Sequence, residues 1–172
     1  MGMTHLRLLH ACATILSVVV LAMVNPVMAQ SSVTLHGFGR AMLSGIPGNA
    51  PVGGLPTTFY LYVEVPPGSR VATKWVRLRG VFYGCSLQKV ATPVTVDSDP
   101  VVPTGKKDVL VDRTANDVYR VIIDQVQVPA DAGSIEPELL AKNEVVVGLV
   151  VDGSNAFAAA TAIKALRPGA AM

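Results

Sequence analysis

The sequence predicts a mainly β fold. The first choice is an antiparallel β-sandwich of immunoglobulin-like type and the second a small barrel, with one short helix and a further helix at the C-terminus. Three observations lead there. Apolar and polar residues alternate with period two over several short runs. Clusters of Gly, Pro, Asp and Ser interrupt those runs at intervals of about eight to twelve residues. Helix signals are confined to the segment around Pro137 and to the alanine-rich tail.

Taken in order, Met1 to Ala29 reads as a secretory signal peptide. A basic start (His5, Arg7) precedes an apolar run from Ala11 to Val24, and Val27-Met28-Ala29 ends in a small residue suited to cleavage. The run is about fourteen residues long, short of the roughly twenty that span a bilayer, so no stable membrane span is expected after cleavage. Removing 29 of the 172 residues leaves 143, enough for one domain with its own core. Cleavage also removes Arg7 and Cys12. The mature chain then has 13 basic residues against 12 acidic, a net charge of +1 instead of +2, one histidine (His36) and one cysteine (Cys85). Such a balance speaks against nucleic acid or an anionic membrane surface as the main partner.

Residues 30–56 are expected to form an N-terminal arm and a loop, with a single β-rich domain over 57–172. Within the arm, Val33 to Phe38 is one strand. Seven of the twelve residues from Gly45 to Pro56 are Gly or Pro, which excludes helix and central strand there. Thr57 to Val65 is the clearest strand: Phe59, Leu61, Val63 and Val65 share one face, and Tyr60, Tyr62 and Glu64 the other. Pro66-Pro67-Gly68 ends it. Lys74 to Gly84 reads as a second strand, with Trp75, Arg77, Arg79 and Tyr83 on one face, a bend at Gly84 and a continuation over Leu87 to Val90.

Thr92 to Val96 and Val109 to Val111 are brief strands separated by turns. Val118 to Val128 is a long β-branched strand. Pro137 suits the first turn of a short helix, Glu138 suits its positive end, and Glu138 and Lys142 lie four apart as a favourable pair. Glu144 to Val151 is apolar on both faces, as in a central strand. The tail from Ser154 to Leu166 reads as helix from its alanines and as strand from its alternation; helix is the preferred reading.

Few residues promise chemistry. His36-Gly37-Phe38-Gly39-Arg40 imitates a dinucleotide-binding turn, but Met42 stands where a third small residue belongs and no acid follows about twenty residues on. Asp97 and Asp99 could offer oxygens to calcium, although acids in such a turn usually cap backbone amides. A hydrolytic triad would require His36 as its base, far along the chain from Cys85. No cofactor or metal site is expected. The feature best suited to a partner is the face carrying Trp75, Arg77, Arg79 and Tyr83, which could bind an acidic or sugar-bearing surface by stacking and cation–π contact; packing of Trp75 and ion pairs of the arginines are the plainer alternative. Cys85 is expected to be a small buried side chain or an intermolecular thiol.

The functional expectation is a secreted or periplasmic, non-enzymatic protein that binds or assembles with a protein or glycan of a bacterial envelope. The alternatives are a carboxylate-based hydrolase of envelope polysaccharide and a small ligand-binding barrel.

Overall fold

The computed structural model describes residues 33–44, 57–100, 102, 104–129, 135 and 137–171. The leader expected at 1–29 and the loops expected at 45–56 and 130–134 lie outside them. The described chain is mainly β: β1 (Thr34–Ser44), β2 (Thr57–Val65), β3 (Val71–Leu78), β4 (Val81–Val90), β5 (Val94–Asp97), β6 (Lys107–Val111), β7 (Asp117–Gln127), β8 (Val145–Val151), β9 (Ser154–Ala160) and β10 (Lys164–Ala171), with one helix, α1 (Pro137–Lys142).

Eight strands form one sheet in the order β10-β1-β2-β7-β4-β3-β8-β9, and β5 pairs with β6 in a separate two-stranded sheet. All neighbours are antiparallel except β1 and β10, which run parallel. The large sheet curls into a half-barrel, so these strands do not form two facing sheets of comparable size. The two edge strands, β9 and β10, are consecutive in the chain and joined by Thr161-Ala162-Ile163. Curling brings β9 alongside β1, while β10 continues along the other part of β1. Within the segment expected to be an N-terminal arm, residues 34–41 pair with β2 and residues 38–44 with β10.

The concave side holds the main core. Leu61, Val63 and Val65 of β2 meet Val76 of β3, Val121 of β7, Val145 and Val147 of β8 and Ala158 of β9, all nearly or fully buried. Each buried Val or Leu side chain contributes about 1.5–3 kcal/mol on leaving water. Alternation then places Tyr60, Tyr62 and Glu64 outside. Two smaller cores lie on the convex side. One gathers Phe38, Tyr62 and Val118 under Leu110 and Val111 of β6. The other gathers Trp75 and Val146 under Ile135, with Leu139 and Leu140 of α1 against it.

Two expectations are corrected. Lys74 to Gly84 is not one strand: β3 and β4 form a hairpin around Arg79-Gly80, with φ of 49° and 89° and Leu78 opposite Val81. Positive φ at both central residues is the turn geometry that matches strand twist. The C-terminal segment is β9 and β10, not helix. Asp152-Gly153, with φ of 50° and 83°, reverses the chain after β8, and β9 then pairs residue by residue from Val151↔Ser154 to Val145↔Ala160. Sheet pairing outweighs the helix propensity of alanine, which is a small local term.

Other readings are realised. β8 is buried on both faces between β3 and β9. The Glu138–Lys142 pair closes at 3.0 Å on α1, and the β4–β7 register shifts between Tyr83 and Cys85, at Gly84.

Candidate functional site: a groove on the outer wall of β1

The alternation of β1 decides what its residues can do. Leu35, Gly37 and Gly39 face the core, and His36, Phe38 and Arg40 face outward. A methyl group on Gly37 would meet Leu61 and Ile163 at 3.5 and 3.9 Å, and one on Gly39 would meet Ile163 and Thr57 at 3.2 and 3.3 Å. The contacts at Gly37 are ordinary, whereas Gly39 leaves the room that lets Ile163, the residue leading into β10, pack against the inner side of β1. The spacing of the two glycines, which imitates a nucleotide turn, belongs to sheet closure.

On the outer side, His36 Nε2 stands 3.0 Å from Glu64 Oε2. Glu64 Oε1 accepts from Thr114 Oγ1 at 2.7 Å and from Asn116 Nδ2 at 2.8 Å. The link between β6 and β7 thus closes over the end of β2. An ionised carboxylate only accepts, so the imidazole carries its proton on Nε2 in this bond, and Nδ1 becomes its basic nitrogen when neutral. The hydrogen bond from Thr114, that from His36 and that from Asn116 hold the Glu64 carboxyl below its ordinary value against the opposing effect of burial. Lys164 Nζ sits 5.7 Å from the centroid of the Phe38 ring, directly across the β1–β10 pairing.

Two cavities meet here. One of about 390 Å³ is lined by Glu64, Asp112, Arg113 and Thr114 together with His36, Phe38 and Lys164. A second of about 290 Å³ runs between β1 and β9 past Ala159 and Ala160. Both are lined by His36, Phe38 and Lys164, so the two adjoin at these side chains, and the larger, the outer groove, has an aromatic floor, two cationic side chains and two carboxylates. Such a lining can hold a polar, uncharged or zwitterionic segment through hydrogen bonds, with Phe38 as an apolar seat.

The residues singled out from sequence are not brought together. Trp75 is buried at 4% exposure. It packs edge-on to Phe82 with centroids 5.1 Å apart and stacks on Phe157 at 6.1 Å. Tyr83 lies against the main core on the opposite side of the sheet. Arg77 Nη1 donates to the carbonyls of Leu140 and Asn143 at 2.9 and 3.3 Å, tying down the end of α1. Arg79 is the exposed member of the four, paired with Glu144 at 3.2 Å and lying over Phe59. The turn at Arg79-Gly80 reverses the strand and with it the facing of Tyr83.

Cys85 lies half-buried against the main core. Burial pushes its thiol up to about 11, opposed by a hydrogen bond with Thr73. His36 and Cys85 face opposite sides of the sheet, so they cannot act as a base–nucleophile pair. Asp99 Oδ1 accepts from the Val102 amide at 3.0 Å, so this acid caps its own turn, and Ser98 Oγ donates to Asp108 of β6 at 2.8 Å. Among the described residues no three His, Cys, Asp or Glu side chains gather as a metal site, and no helix is long and apolar enough to cross a membrane.

Strand alternation places Glu64 on a polar face without revealing its partners, and it does not reach Lys164. The signal available for the first was His36, two positions from an outward aromatic. Lys164 gave none, because its place depends on parallel pairing with a strand more than a hundred residues away. No protein-family model, curated protein or solved structure matches the chain.

Proposed function

We propose that this chain is a secreted or periplasmic protein of a bacterial envelope that binds a protein or glycan component without turning it over. The leader read in the sequence motivates the location. The observation that carries the binding role is the outer groove, in which Lys164, Arg113, His36 and Phe38 line one cavity. The platform for this reading is the half-barrel, and the immunoglobulin-like sandwich expected from sequence has no part in it. The Trp75 face is set aside because the ring is buried between Phe82 and Phe157.

One observation favours a second reading. Glu64 and Asp112 line the same cavity, and two carboxylates in one cleft are the minimal equipment of a glycosidase. Its general acid must hold a proton near neutral pH, however, and the three donors around Glu64 favour the ionised form. Binding without turnover therefore stands first.

The test uses the mature chain from Gln30 with a panel of envelope glycans and envelope extract. Binding is followed by calorimetry and products by chromatography. The proposal expects saturable binding, weakened about tenfold by Lys164→Glu, and no product. Turnover abolished by Glu64→Gln would replace it with the hydrolase reading. Binding unchanged in Lys164→Glu would move the site elsewhere.

A further inference from the structure

We propose that Arg40 and Lys107 form a separate site for a small oxyanion, a carboxylate or phosphate group, between β1 and the β5–β6 hairpin. Arg40 is only 5% exposed although its guanidinium is permanently charged. Its Nη2 donates to the Asp97 backbone carbonyl at 2.6 Å. Its Nε is buried and has no hydrogen-bond partner among the described residues. Nor does any carboxylate among them stand within ion-pair distance of it. A buried guanidinium without a counter-charge is costly, since such charges are ordinarily paired and fully hydrogen-bonded.

The same arginine lines a cavity of about 350 Å³ with Tyr60, Thr95, Asp97 and Lys107. None of its lining residues lines the outer groove, so the two sites are distinct. Arg40 offers a planar fork suited to two oxygens of one anion, Lys107 adds a point charge, and Thr95 and Tyr60 add hydroxyls. The Asp97 carboxylate lowers the positive charge of the lining from two to one. An anion seated there would supply the missing counter-charge to the Arg40 guanidinium and fasten the hairpin to the outer wall.

The test titrates the mature chain with inorganic phosphate in one arm and acetate in another, following the arginine Nε–H resonances by NMR. The proposal expects a saturable shift of the Arg40 Nε–H in at least one arm, and the responding arm identifies the anion class. Arg40→Lys keeps the charge, loses the fork and should weaken binding about tenfold. Because Arg40 is buried, two surface variants are decisive: Lys107→Gln should weaken binding about threefold and Asp97→Asn should tighten it by about as much. No saturable shift up to about 50 mM of either anion, an affinity too weak to matter, would overturn the proposal. Affinities unchanged in both surface variants would overturn it equally.

Discussion

At Gly148 a single hydrogen atom makes room for an indole. A methyl group there would lie 2.6 Å from Trp75 Cε2 and 2.7 Å from Cζ2, far inside contact distance. Trp75 and Phe157 flank this position on the neighbouring strands and cover the bare backbone. Gly148→Ala is therefore expected to cost about 1–3 kcal/mol in urea unfolding, as overpacking in a tight core does. The Cys85 thiol, pushed up to about 11 by burial, should be alkylated slowly at pH 8 in the folded protein and fast after denaturation. A non-reducing gel should show monomer; a dimer band that collapses with reductant would contradict the inward placement. Glu64 gives the pH dependence. Its folded carboxyl is held below its ordinary value, so its contribution to stability is present above the ordinary carboxylate range and is lost as pH falls through the folded value. Acid titration of unfolding stability should show this loss, and Glu64→Gln should remove that part of the slope.

At the scale of elements, what was legible followed from local pattern. The faces of β2, the buried β8 and the short α1 with its Glu138–Lys142 pair each rest on residues within one segment. The β3–β4 hairpin was not legible because period-two alternation ran on through its turn. Val76 and Leu78 face inward on β3, and Tyr83, Cys85 and Leu87 face inward on β4, so inward parity changes from even to odd across Arg79-Gly80. Carrying even parity through the turn put Tyr83 beside Trp75 on paper, while the fold puts them on opposite faces. The tail differs from its expectation for a related reason: alanines favour helix alone, but Ala156, Ala158 and Ala160 are the small side chains that let β9 pack at the seam. The seam itself predicts that Ile163→Asp, which puts a charge against Gly37 and Gly39, should destabilise the protein by several kcal/mol, on the order of 3–5. Thermal unfolding would check it, and a melting temperature within a degree or two of wild type would contradict the closure.

At the scale of the whole molecule, the proposed binding face depends on how the sheet curls. Consecutive strands β9 and β10 occupy opposite edges of an eight-stranded sheet, and only curling lets three residues join them. Curling then fills the concave side with side chains and leaves chemistry to the outer wall. That is why His36, Glu64, Arg113 and Lys164 converge there although they lie in four different segments. No local pattern reveals such a convergence, since it depends on one parallel pairing and on one link folded across a strand end. The central claim is that the outer wall of β1 binds. Mapping amide shifts by NMR as the mature chain is titrated with its bound envelope fraction tests it most directly. Shifts are expected at His36, Phe38, Glu64, Arg113 and Lys164, with Val63 and Val147 of the core unmoved. Shifts centred on those core valines, or on Trp75 and Arg79, with the groove silent, would contradict it.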